Sequence, residues 1–551
     1  MMKNNEDSTP DLLLRYRIRG VVTETSSSDE NVLVEETRTG GRRTIRVTAL
    51  KEMRLYETSI RIPRVFHRDD LIMANGYQSW TATRESRLTE HLNNLSRLPV
   101  WIENRYHFKA YGSQAFWPMD KSFHLAFDYA CIRGSEPLFI GSFNHKNAYL
   151  LIQMLQDQGQ IILHSDVSHR FLDKGETFTI FDYIVGEDGK DYFSTYSPRT
   201  DRKLFGYTSW YNHYQEISED LIFKALEEAD ERFDLFQIDD GFETYVGDWM
   251  DIDPVKFPRG LKPLVDRIHE RGMLAGIWLS PFVAENDSRL MREHPDWIAR
   301  DKNDDFIYAG CNWSGDAALD INNPHVVDYI RKVLRFYVEL GFDFFKLDFL
   351  YAVNLRRIHG RTHAETAEFA YGLLREELKD KLILGCGATL SNAFERFDYC
   401  RIGPDVSLRF DDVPHMRIFH PERISTKVTL QNTIFRSDLD GHMFLNDPDV
   451  FLLRDDNISL SVKQRESLTR INALFGSLLM TSDNIGTYDR KKNALLEEAL
   501  DLFYRGNVLE YARAGRQIRI SYELEGDEYI MIYDFNRGII TGHRKVEEEC
   551  L

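Results

Sequence analysis

Residues 342–352, FDFFKLDFLYA, set Lys346 and Asp348 inside an apolar, aromatic run, where an unpaired charge is costly. Other short apolar runs in the chain end in a similar way. In order they are followed by Trp210, by Asp239 and Asp240 in FQIDDGF, by Trp278 in GIWLSP, by Lys346 and Asp348 in KLDF, by Cys386 in GCG, by Arg401 and Asp405 in RIGPD, by Asp447 and Asp449 in LNDPD, and by Asp483 in TSDN. A single aspartate at such a place is more often a loop former or helix cap than a reactive group. Several converging on one mouth would repel one another and shift their proton affinities unless a ligand or a reaction uses them.

Three chemistries are poorly supported. The chain has no HxH, HExxH or calcium-loop pattern, and its histidines avoid these positions, so neither a metal nor another cofactor is expected. No GxSxG elbow supports a serine nucleophile, and no GxGxxG or GxxxxGK[ST] loop supports a nucleotide. What remains is paired-carboxylate chemistry on a substrate ringed by aromatics. Cleavage of a glycosidic bond needs this set: one carboxylate for the anomeric centre, one to protonate the departing oxygen, and tryptophans to stack on sugar faces. Asp348 and Asp405 form the expected pair, at the separation of about 5–5.5 Å that a retaining mechanism uses. Lys346, two residues before Asp348 on one strand face, is expected to help keep that acid ionised. Asp405, behind Gly403 and Pro404, sits on a constrained turn and is expected to gain and lose a proton.

The elements that must position these groups are legible from rhythm. From residue 198 to 494, short apolar strands alternate with amphipathic helices, the pattern of parallel β/α units. In INNPHVVDYIRKVLRFYVELGFD, Asn323 is placed to cap, Pro324 suits the first helical position, and Val326, Val327, Ile330, Val333, Leu334 and Tyr337 recur with a helical period before Gly341. GLKPLVDRIHERGML repeats the design, with Leu261, Leu264, Val265 and Ile268 on one face and Gly272 as terminator. FGYTS, LFQID, LAGIWLS, FFKLD, LILGCG, CRIG, HMFLN and GSLLMTS give eight strands, the number that closes a (β/α)8 TIM barrel in the α/β class. Residues 1–197 read instead as short strands and hairpins of an N-terminal β-sandwich, with a tight turn at Gly40 and Gly41. Residues 495–551 end in strand alternation and read as a small C-terminal β domain.

The composition is globular, with 42% hydrophobic and 13% aromatic residues among 551. A net charge of −19 repels polyanions, so no nucleic-acid or anionic-membrane partner is expected. No leader-like N-terminus and no stretch approaching about 20 apolar residues is present, which reads as a soluble, cytoplasmic protein. Five cysteines, Cys131, Cys311, Cys386, Cys400 and Cys550, include no CxxC pair and are each expected to be small buried hydrophobes, with Cys386 singled out by its strand-end position.

At these residues the chain resembles glycoside hydrolase family 36, the α-galactosidases of clan D, in its compact bacterial form. YQSW ending at Trp80, GYTSWY, FQIDDGFE, GDWM, GIWLSPF, HPDW, FFKLDF, LGCG, RIGPD and FLNDPD follow in family order. The resemblance implies a retaining exo-α-galactosidase acting on small oligosaccharides such as melibiose or raffinose, with Asp348 as nucleophile and Asp405 as acid/base. It implies Asp239 and Asp240 at O4 and O6, Lys346 on the O3/O4 side, Arg401 and Cys386 towards O2, Trp210 and Trp278 as walls, and Trp80 leaning over the mouth from the N-terminal domain. A sandwich-core place for Trp80, and either loop packing or an aglycone contact for Trp249, are the competing readings. Tyr207 and Thr208 depart from the tryptophan and cysteine of many members, and GCGATLSNAFERFD departs from the commonest pattern near O2. An α-N-acetylgalactosaminidase, a transglycosylase or a non-catalytic sugar-binding protein therefore stay open, as does a homo-oligomer.

Overall fold

The computed structural model describes residues 11–90, 100–112, 123–167, 170–357, 360–420 and 422–546. The first ten residues and Cys550 lie outside it. Two seven-stranded antiparallel sheets hold the strands up to Thr177–Gly186. Alternation of buried and outward residues, as in RRTIRVTA at 42–49, turns Ile45 and Val47 into a core shared with Leu14, Leu55, Ile152 and Leu163. The hairpin at Gly40 and Gly41 joins strands Val32–Thr39 and Arg42–Ala49 as the sequence predicts.

The central sheet is parallel and carries helices between its strands. We number its strands β1 Leu204–Thr208, β2 Leu235–Ile238, β3 Leu274–Leu279, β4 Phe344–Leu347, β5 Leu382–Gly385, β6 Tyr399–Arg401, β7 Leu445–Asp447, β8 Val450–Phe451 and β9 Leu478–Thr481. Neighbours run β7-β6-β5-β4-β3-β2-β1-β9-β8. Eight predicted strands thus become nine, because the seventh is broken. β7 pairs with β6 and β8 pairs with β9, with Pro448 and Asp449 between them. Proline lacks a ladder N–H, and Asp449 adopts φ +73, so the strand bends there and each half pairs with a different neighbour. The barrel closes through this bend.

Helix Pro324–Leu340 has the predicted ends: the Asn323 side chain accepts from the His325 N–H, and Gly341 stops the helix at φ +104. Its buried face is Val326, Val327, Ile330, Val333, Leu334 and Tyr337, the six residues its period selects. In helix Lys262–Glu270 the buried residues are Leu264, Val265 and Ile268. A four-stranded antiparallel sheet, Asn507–Ala514 to Ile539–Lys545, follows the barrel and buries Ile518, Ile520, Met531 and Tyr533 in the same core cluster.

The N-terminal sheets and the barrel are joined by residues 75–83, the loop between strands Leu71–Ala74 and Arg84–Arg87. Ser79 N–H donates to Ala388 O at 2.9 Å, and Asn432 bridges Thr81 O and Thr83 N–H at 2.9 and 2.8 Å. Arg436 is fully buried and reaches Ser79 O at 2.6 Å, Ile402 O at 2.7 Å, Asn75 Oδ1 at 3.2 Å and Gln78 O at 3.2 Å. Burial draws its proton affinity down to about 10. Among the described residues no helix is long and apolar enough to cross a membrane.

Candidate active site

The C-terminal ends of the barrel strands open into a cavity of about 330 Å³. Trp80, Trp210, Asp239, Asp240, Trp278, Lys346, Asp348 and Asp405 all line it. Parallel register explains part of this convergence. Trp278 on β3 stands beside Lys346 on β4, and residues two apart on a strand share a face.

Asp348 follows β4 and accepts hydrogen bonds from Trp278 Nε1 at 3.0 Å and Phe349 N–H at 2.9 Å. Its own N–H is tied to Leu279 O at 2.8 Å. Lys346 shares a strand face with Asp348, as the two-residue spacing predicts, but its direct ion pair is with another acid. Its Nζ lies 2.9 Å from Asp239 Oδ2 at the end of β2, the next strand but one, and Asp348 acts on it only through space. Burial works against the Lys346 charge, yet Asp239 holds its proton beyond the ordinary lysine range. Asp239 also accepts from Gln237 Nε2 at 2.6 Å and Thr208 Oγ1 at 3.2 Å.

Asp405 lines the cavity, with 36% of its side-chain surface exposed. Burial of its surroundings raises its proton affinity, Arg401 and Lys346 oppose that rise, and Asp348 and Asp239 add to it. Arg401 itself does not line the cavity. Its guanidinium reaches Asp405 Oδ1 at 2.9 Å, Asp447 Oδ2 at 2.7 Å and Asp449 Oδ1 at 2.9 Å, so it clamps Asp405 from behind. Asp449 also takes Val406 N–H at 2.7 Å and the Tyr211 hydroxyl, and burial lifts it to about 7. Asp447 and Asp449 are thus anchors behind the mouth. Asp483 is another, held by Arg454 Nη1 at 2.9 Å and Tyr488 OH at 2.7 Å.

Cys386 also falls outside the cavity lining. It is fully buried, with Sγ 3.4 Å from Trp80 Nε1, and burial pushes its thiol well up. Trp80 meets the rings of Tyr111, Phe349 and Tyr351 edge-on at 6.2, 5.1 and 5.4 Å, which places it over the barrel rather than in the sandwich core. Trp80→Ala is expected to cost about 3–5 kcal/mol of stability, the range for emptying a buried aromatic site, read as a lower denaturation midpoint. Trp249 is buried against Trp278 at 5.6 Å, which decides for packing. Among the other cysteines Cys400 is buried, Cys131 is half-buried, and Cys311 is exposed, lining the cavity instead of a core.

The cavity contains groups the strand-end pattern does not reveal: Trp313, Gln215, Tyr106, Tyr111, Tyr351 and Ile424. Trp313 Nε1 donates to Asp240 Oδ2 at 2.9 Å, and Gln215 Nε2 donates to the same oxygen at 3.1 Å. Burial raises the Asp240 proton affinity, and Asp239 adds to the rise. Trp313, Phe349 and Tyr214, which contacts Trp210 at 5.1 Å, hold φ values of +49, +55 and +49. Left-handed backbone at bulky residues costs on the order of 1–3 kcal/mol and clusters where function constrains geometry. Among the described residues no group of three or more His, Cys, Asp or Glu side chains is placed to hold a metal ion.

The Melibiase family description matches residues 199–382. An α-galactosidase of Escherichia coli is 33% identical over 141 residues, which cover 24% of this chain and 19% of that protein. The alignments with the curated relatives first matched thus span less than a fifth of their length. An α-galactosidase from Thermus thermophilus, solved with p-nitrophenyl α-D-galactopyranoside, is 25% identical with a TM-score of 0.69, over 90% of this chain and 98% of that one. The same enzyme has been solved with stachyose. The glycoside hydrolase family 36 α-galactosidase AgaA of Geobacillus stearothermophilus shares the fold at 11% identity, with a TM-score of 0.62 over 95% of this chain and 81% of that one.

Proposed function

We propose, from the match of residues 199–382 to the melibiase family and the architecture shared with an α-galactosidase over 90% of this chain, that it is a retaining exo-α-galactosidase of that family. The substrates are small galacto-oligosaccharides such as melibiose or raffinose. The observation that carries this reading is one walled cavity holding two unlike carboxyl groups. Asp348 is fixed by two N–H donors, whereas Asp405 holds its proton to higher pH than an ordinary aspartate.

In the proposed reaction Asp348 attacks the anomeric carbon while Asp405 gives its proton to the departing glycosidic oxygen. Asp405 then takes a proton from the water that displaces Asp348, so the product keeps the α configuration. Asp239 and Asp240 accept from O4 and O6, since ionised carboxylates offer acceptors only. Lys346, already fixed by Asp239, faces the O3/O4 side. Trp210 and Trp278 wall the sugar, and Trp80 restricts the pocket to chain ends. Arg401 serves by holding Asp405, and Cys386 by backing Trp80.

The test is hydrolysis of p-nitrophenyl α-galactoside followed by proton NMR. Turnover with α-galactose as the first anomer formed is the expected result. β-Galactose as the first anomer overturns retention. No turnover beside rapid cleavage of the α-N-acetylgalactosaminide overturns the substrate assignment.

A further inference from the structure

The DDGFE segment contains a third acid, Glu243, for which the proposed reaction has no use. Its side chain is buried, with 5% of the residue exposed. The chain folds back at Gly241, whose φ of +114 and 2.7 Å clearance from the Gln215 backbone leave no room for a side chain. This turn brings Glu243 against the carboxyl group of Asp240, with which it hydrogen-bonds, while Gly241 N–H donates to Glu243 Oε2 at 3.3 Å. Among the described residues no cation lies within ion-pairing distance of either acid. The nearby Lys256 ammonium is committed to Gln215 O at 2.9 Å and Gly241 O at 3.1 Å. The Tyr337 hydroxyl, on the helix packed behind, donates to Trp249 O.

Two carboxyl groups in hydrogen-bond contact, without a cation, must share a proton, because two acceptors cannot bond to each other. We propose that Glu243 is a positioning residue: a neutral carboxylic acid that donates its O–H to Asp240 and fixes the face that Asp240 turns to the sugar. Three donors then converge on Asp240, from Glu243, Trp313 and Gln215, and the sugar hydroxyl is the fourth. Burial, followed by the charge of Asp240, raises the Glu243 proton affinity well above that of an ordinary glutamate. Asp240 in turn faces Asp239. At a pH high enough to ionise Glu243, its negative charge beside Asp240 removes one donor and pushes the carboxylate out of place. Sugar affinity therefore falls on the alkaline side for a reason separate from loss of the Asp405 proton.

This inference rests on the α-galactosidase reading for its kinetic test. Glu243→Gln keeps a neutral donor and is expected to hold KM for p-nitrophenyl α-galactoside within about threefold, while removing the alkaline rise in KM. Glu243→Leu removes the donor and is expected to raise KM at least tenfold with a smaller change in kcat. The Leu penalty should shrink with the 6-deoxygalactoside if Asp240 takes O6. Equal KM for the two variants, or an unchanged alkaline rise in Glu243→Gln, overturns the proposal. A second measurement does not need turnover: the carbonyl stretch of a buried protonated carboxyl in the infrared spectrum of the wild-type protein, absent from Glu243→Gln. Its absence from the wild type overturns the proposal, whereas its presence in an inactive wild type places the failure with the α-galactosidase reading.

Discussion

Asp348→Ala is expected to lower kcat/KM for p-nitrophenyl α-galactoside by on the order of 10⁴-fold or more, as removal of a covalent nucleophile does. The truncation leaves a defined gap rather than a collapse. Trp278 remains in register beside Lys346, and the Asp348 N–H remains bonded to Leu279 O at 2.8 Å. Azide can enter the vacated space beside Trp278 Nε1 and attack from the side that Asp348 served. The expected product is the β-galactosyl azide, of opposite configuration to the substrate, detected by NMR. Rescue yielding the α-azide would assign Asp348 the other role.

Asp405→Asn is expected to separate substrates by leaving group. General acid catalysis contributes roughly 10²–10⁴-fold, and a sugar alkoxide needs it far more than p-nitrophenolate does. Melibiose hydrolysis should therefore fall toward the upper end of that range, while the first step with the aryl glycoside falls much less. The second step also slows, since no base activates water, so a burst of p-nitrophenol should precede the steady state. Azide, which needs no base, should accelerate turnover and give the α-galactosyl azide. The pH dependence has a definite sign. An acid whose proton affinity is raised stays protonated to higher pH, and acid catalysis is lost as pH rises through that range. The Asn variant should lose this alkaline limb in kcat/KM; a limb that persists unchanged would belong to another group.

Helical period and caps were legible because they are local. Asn323, Pro324 and Gly341 mark the ends of Pro324–Leu340, and the six-residue apolar stripe between them is the stripe that is buried. The acids and tryptophans at strand ends were legible because a barrel turns those ends to one mouth. Lys346 shows the limit of that logic. Its spacing from Asp348 fixes the face it occupies, but which acid it meets depends on how far the side chain extends across the barrel, and it meets Asp239. The same limit separates Arg401 and Cys386, which stand behind the mouth, from residues that line it. Trp313 lies in GCNWSG, a stretch that reads only as a loop, and reaches Asp240 through tertiary folding. The break at Pro448 was visible as a residue but not as a change of partner, because pairing on both sides is a property of the closed sheet.

Arg436 bears on how this molecule can be divided. Its charge is met by backbone carbonyls and Asn75 of the 75–79 segment and by Ile402, and its two ends belong to different parts of the chain. A barrel excised alone would lose the acceptors at Asn75, Gln78 and Ser79 that hold this guanidinium, and would expose to water the surface that the 75–79 segment covers. The excised piece would also lack Trp80, Tyr106 and Tyr111 from its pocket. Chimeras that exchange catalytic modules between relatives should therefore transfer the 75–83 loop together with Asn432 and Arg436. The smallest transplantable part is a barrel with its borrowed wall.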